Sequence, residues 1–193
     1  MKLFKSVEMG LVINRFENAT VGLSELKKYP MITLQELSYN IGESAHFEES
    51  RKVSLPFTDE AKYVFAKNGD LVLSLTSLKA MIISEKETLS ILPSNFVKVH
   101  YDVKKIYGYY LMWLFNENRR FQNLLSSHVR VGPIQTIPVK ELRDLSYDLP
   151  EYQQQELIGN VYKKELELLR KTYKHKKIVL EYLNELNKTK GMK

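Results

Sequence analysis

Over the first 149 residues, short apolar runs alternate with turn-forming residues, and after that the rhythm changes. The run 71–75, Leu-Val-Leu-Ser-Leu, follows Asn68-Gly69-Asp70 and predicts a strand after a turn. Residues 80–84 and 96–101 predict two more strands, and the three together suggest an antiparallel meander. Residues 31–37 fit a strand or a short helix. A broad apolar face predicts a helix over 106–118, which 119–126 continues or follows. A further short helix is expected over 138–145, after a loop spanning 126–133. The body is therefore expected to be mixed α/β (α+β). No internal repeat or low-complexity stretch is present.

Beyond Leu149-Pro150, Gly159 is the only Gly or Pro before Lys188. Pro150 suits a first helical turn, Asp148 is placed to cap it, and Glu151 suits its positive end. A helix of about 38 residues would be about 57 Å long. A packed domain of this size is about 35 Å across, so the helix must project or find a partner. Ile158, Val161, Tyr162, Leu166, Leu169 and Tyr173 recur at helical spacing. After the basic interval 170–177 the pattern resumes at Ile178, Val179, Tyr182, Leu183 and Leu186. A seam that is apolar at both ends and polar between is unlike a plain zipper and suits an antiparallel mate. The other reading is a helix folded back on its own domain, broken near Thr172. The chain divides into a body over 1–148 and a helical region over 149–193.

The chain has 193 residues and a mass of 22.6 kDa, with 44% hydrophobic and 27% charged residues. This balance excludes wholesale disorder and collagen-like structure. Cysteine is absent, which excludes disulfide scaffolds, thiol nucleophiles and cysteine-ligated metals and suits a reducing cytoplasm. Lys2, Lys5 and Glu8 interrupt the N-terminal stretch, so no signal peptide is expected, and no segment is long and apolar enough to span a membrane. Net charge is +6, with +2 in residues 1–149 and +4 in the shorter 150–193. A basic balance favours polyanions or acidic protein surfaces.

Enzymatic signatures are largely missing. There is no Walker-type loop and no Gly-rich dinucleotide fingerprint. The Asn/Asp-Pro-Pro-aromatic loop of an amino-methyltransferase is also absent. His46, His100, His128 and His175 lack metal-ligand spacing. Neither cofactor nor metal is expected. Glu60 and Lys62 form the Glu-x-Lys half of a metal-dependent nuclease centre, but the segment reads better as a helix start after Pro56. What remains is a set of basic and polar loops: 13–15, 49–52, 75–79 and 126–132. Arg and Lys give phosphate contacts or bidentate guanine contacts, and Ser, Thr, Asn and Gln also reach base edges or phosphates.

Several segments in order resemble the specificity subunit of type I restriction–modification systems. Gly69-Asp70-Leu71-Val72-Leu73-Ser74 resembles its Gly-Asp strand opening, and Leu92-Pro93-Ser94-Asn95-Phe96-Val97-Lys98-Val99 its next apolar strand. Tyr109-Tyr110-Leu111 through Asn116 resembles its Tyr-Leu…Leu-Asn helix. Leu149-Pro150, Gln154-Gln155 and Ile158 resemble its junction into a long helix, with Gln154 where the family usually has Glu. The likeness covers roughly residues 65–188, and the first 60 residues match only loosely.

The resemblance implies a half-size, non-catalytic subunit: one target-recognition domain and one helix that pairs antiparallel with a partner. Implied partners are double-stranded DNA, methyltransferase subunits and, through them, the restriction subunit. A homodimer would read a symmetric, interrupted site. The residues chosen for DNA are Arg15, Arg51, Lys52, Thr76, Ser77, Lys79, His128 and Arg130. Those chosen for self-association are Ile158, Tyr162, Leu169, Val179, Leu183 and Leu186. The competing reading is a protein-interaction module or inactive specificity fragment that reads no bases itself.

Overall fold

The computed structural model describes residues 1–17, 26–44, 50–130, 132 and 135–190. His46, Glu49, Val131 and Pro133, which belong to the sequence motifs above, lie outside the described residues.

A four-stranded antiparallel sheet has the order β1 (Ser6–Met9), β6 (Phe96–His100), β4 (Leu71–Ser74), β5 (Ala80–Ile82). The three predicted strands form, but the meander is corrected. β4 lies between β5 and β6, with Leu71 opposite both Ile82 and Val99. The reason is burial. Every residue of β4 is buried, so it takes the central place, and the shorter β5 takes the edge. Helix α3 (Gly108–Glu117) packs on β5 and against the long C-terminal helix α6 (Tyr152–Lys190). Helices α4 (Arg119–Ser127) and α5 (Val139–Asp144) complete this layer, and Phe96, Phe115 and Phe121 lie in its core.

The sequence did not announce β1, nor a second, smaller cluster with a hairpin of β2 (Leu26–Pro30) and β3 (Lys52–Pro56). Tyr29, Val53, Leu55 and Tyr63 pack there, beside α1 (Ile13–Glu17). Thr33 caps α2 (Leu34–Asn40), its hydroxyl accepting from the Glu36 amide at 3.1 Å, so 31–37 resolves as the lead-in to a helix. The Glu60 and Lys62 segment is a short 3-10 helix over Phe57–Lys62, with Lys62 paired to Asp59.

The long helix is continuous through Thr172 and begins two residues after Pro150. Asp148 does not cap it and lies 4.0 Å from the Met1 amino group. The first turn is held instead by buried Gln155, which donates to the Pro150 and Lys105 carbonyls at 2.9 and 3.1 Å and accepts from the Tyr107 amide at 3.1 Å. The helix both folds back and projects. Tyr162 and Leu166 are buried on its own domain, and Ile158 packs beside them. From Lys174 to Lys188 every residue is exposed. Among the described residues, no helix is long and apolar enough to cross a membrane.

Candidate nucleic-acid interface

Three chain segments converge at one end of the large sheet. The Gly10 amide donates to the Phe96 carbonyl, and the Leu11 amide to the Leu92 carbonyl. Only glycine fits at position 10, where a Cβ would lie 2.1 Å from the Pro93 carbonyl oxygen. On the other side, Ile91 donates to Pro30, Ile32 donates to Ile91, and Met31 donates to Arg51. Segments 10–14, 30–34 and 91–95 therefore lie side by side, with Arg51 and Lys52 at the start of β3 beside them.

Between them lies a cleft of about 420 Å³. Leu11, Met31, Val53 and Phe96 supply its apolar lining, and Asn14, Thr33, Arg51, Lys52, Ser94 and Asn95 its polar lining. No carboxylate lines it among the described residues. The tip of the β4–β5 turn joins this end: the Leu75 amide donates to the Asn95 carbonyl at 2.9 Å, and the Ile137 amide to the Leu75 carbonyl at 3.1 Å. Leu78 closes the turn at φ 57°, left-handed backbone that costs a leucine roughly 1 kcal/mol or more.

Of the residues chosen from sequence for DNA, Arg51 and Lys52 line the cleft, and exposed Arg15 follows Asn14 on α1. Thr76 and Ser77 stand at the adjoining tip, next to Leu75. Arg130, exposed, bridges to Thr136 beside Ile137. Several have partners within the fold, the first being Thr76, whose hydroxyl lies 3.2 Å from the Ser74 hydroxyl. Lys79 donates to the Asn116 carbonyl at 2.7 Å and pairs with Glu43 at 3.2 Å. His128 sits 3.1 Å from the Glu141 carboxylate. Asn14, Ser94 and Asn95 were not chosen, although the Pro-Ser-Asn sequence before β6 is a turn signal that places two of them in a loop.

The residues chosen for self-association also divide. Tyr162 is buried, its hydroxyl accepting from Asn116 at 3.0 Å, and Leu169 touches Gly42 in the turn after α2. With Ile158, these face their own domain. Val179, Leu183 and Leu186 are exposed. So are Leu157, Val161 and Leu168, each one residue before a chosen position and about 100° around the helix.

On α2, just past the cleft residues Thr33 and Leu34, Glu36 is buried and accepts from the Ser50 hydroxyl at 3.1 Å. Burial pushes its carboxyl up to about 7, and the nearby Glu87 charge adds to this, while the hydrogen bonds from Ser50 and the backbone oppose it. In the unfolded chain the same group titrates near its ordinary 4.5. The folded state thus holds a proton that the unfolded state releases. This contribution to stability is full below pH about 4.5 and is lost as pH rises through about 7. The displacement corresponds to about 3 kcal/mol. Glu36→Gln should flatten the stability profile between these limits and raise stability at pH 8, measured as urea midpoints at pH 5 and 8. Equal pH slopes in parent and variant would remove Glu36 as the cause.

No family model matches this chain, and no curated protein matches it. Among solved structures, the crystal structure of the HsdS subunit from Thermoanaerobacter tengcongensis has the same fold, with a TM-score of 0.51 and 11% identity over 98% of this chain and 49% of that one. A chain from a structure of complex assembly and conformational transition of the type I R-M system aligns with a TM-score of 0.46 and 10% identity, over 88% of this chain and 46% of that one. This chain therefore spans about half the length of each.

Proposed function

We propose that this chain is a non-catalytic, sequence-specific DNA recognition subunit of a type I restriction–modification complex. Residues 1–148 read one half of a bipartite site, and residues 149–193 provide the spacer and pairing helix. Methyltransferase subunits dock on it, and the restriction subunit joins through them. The fold shared with the HsdS subunit supports this reading. The observation that carries the DNA contact is the cleft with Arg51 and Lys52 and, among the described residues, no lining carboxylate, in a body whose net charge is only +2. Phosphates are favoured where arginine and lysine line a polar cleft.

Two copies pair antiparallel through α6 and restore two recognition domains, so that protein symmetry is mirrored in a split, symmetric DNA site. The pairing surface is the outward stripe Leu157, Val161 and Leu168, continued by Val179, Leu183 and Leu186. Light scattering should give twice 22.6 kDa for the parent chain and 22.6 kDa for Leu168→Glu and Leu183→Glu. A monomer at every concentration would overturn self-pairing. Arg51→Ala should weaken DNA binding and lower its salt dependence. Binding to a methyltransferase with no base preference would favour the interaction-module reading instead.

A further inference from the structure

The cleft holds side chains that the fold itself does not use. Asn14, exposed on α1, and Asn95, half-buried before β6, come from segments 80 residues apart and line the same cleft. Among the described residues, neither side-chain amide has an intramolecular hydrogen bond, and the Arg51 guanidinium likewise has none. Asn116, Asn118, Gln122 and Gln155, by contrast, make side-chain hydrogen bonds that join elements or cap helices.

Two apolar side chains at the same cleft are also exposed, Val12 at 37% and Leu34 at 42%. Both lie outside the packed floor formed by Leu11, Met31 and Val53. The wall thus combines free amides, free methyl groups and two cations, with no acid among the described residues. Each chemistry has a counterpart on DNA. A carboxamide matches the N6 donor and N7 acceptor of adenine, apolar side chains match the thymine methyl, and guanidinium and ammonium groups match phosphate. Cytosine offers an amino donor and no methyl, so a G·C pair would leave the apolar wall against a polar edge.

We propose that this cleft selects A·T pairs, with Asn14 and Asn95 as adenine-reading residues, Val12 and Leu34 as the thymine-methyl contacts, and Arg51 and Lys52 on the flanking phosphates. The inference rests on the DNA-recognition reading above and narrows it to a base class and to residues outside the basic set.

Selection from random duplexes with the full-length chain tests it. The parent should return A·T pairs at the positions protected by the cleft. Asn14→Ala and Asn95→Ala should each relax one such position by about tenfold while leaving the others unchanged. Replacing the selected thymine by uracil, with the parent protein, should weaken binding about fourfold, the worth of one buried methyl. That difference should vanish in Val12→Ser or Leu34→Ser. Because the uracil arm uses unaltered protein, it stands even if a variant folds poorly. A G·C-rich selected half-site, or a profile unmoved by both asparagine variants, overturns the inference and leaves sequence-specific recognition intact. Binding without any base preference in the parent overturns both.

Discussion

Gly159→Ala should destabilise this protein by about 3 kcal/mol, although the same change in an exposed helix interior stabilises by about 1 kcal/mol. The inversion comes from the crossing of α6 over α3. A Cβ at position 159 would lie 2.6 Å from the Tyr107 ring and 2.7 Å from the Tyr110 backbone nitrogen. The ring can turn, but the backbone of α3 cannot retreat without moving the sheet beneath it. The helices must separate, and that pulls Gln155 from the Tyr107 amide and the Lys105 carbonyl. Thermal melting should fall by roughly 6–12 °C, at 2–4 °C per kcal/mol for a chain of this size. Gln153→Ala, on the exposed side of the same turn, is the control and should change little. A Gly159→Ala variant as stable as the parent would mean that the two helices are not locked at this crossing. The consequence for function is directional. Through this contact α6 takes its angle from α3, so in the proposed pair the distance between the two bodies would be set here.

Three strands of the large sheet and the long helix were legible because their signals are local, whereas β1, in which only Val7 is buried, was not. Gly69 stands at φ 86° in the turn that opens β4, and the run after it is buried on both faces. The β2–β3 hairpin was not legible. Leu26-Lys27-Lys28-Tyr29-Pro30 buries only Tyr29, and its partner strand begins 22 residues after it ends, so neither alternation nor a tight turn marks it. The strand order was hidden for a similar reason, since β4 pairs with a strand two places on in the chain. On α6 the spacing identified an apolar helix and not which apolar stripe faces inward. Ile158, Tyr162 and Leu169 turn toward the domain, and Leu157, Val161 and Leu168 turn outward. A helix apolar on two sides needs the position of its neighbours to break the tie. The cleft was half legible: Arg51 and Lys52 stand out as a charged pair, but Ser94 and Asn95 join them only through the pairing of segments 30–32 and 91–93.

Asn116→Ala is expected to cost about 4 kcal/mol, and about 1–2 kcal/mol of that should disappear when its partner Tyr162 is also changed. Asn116 is buried at the end of α3, and β5 is the outer strand of the sheet. Its carboxamide oxygen accepts from the Ala80 amide at 2.8 Å, and its nitrogen donates to the Ala80 carbonyl at 2.9 Å, as a neighbouring strand would. The same nitrogen donates to the Tyr162 hydroxyl at 3.0 Å. One side chain thus closes the sheet edge and fastens α6 to it. Truncation strands three buried groups, at about 1–3 kcal/mol each, offset where water enters the space left behind. Tyr162→Phe alone removes one hydroxyl and should cost about 1 kcal/mol. In the double variant Tyr162 no longer has a stranded hydroxyl, so the cycle should show a coupling of about 1–2 kcal/mol, measured from urea unfolding of all four proteins. Additive losses would mean that α6 is held by its apolar contacts alone. The same Tyr162→Phe protein separates the two faces of the helix. If Tyr162 belongs to its own domain, its stability falls while its mass by light scattering stays that of the parent. A loss of mass would place Tyr162 in the pairing surface.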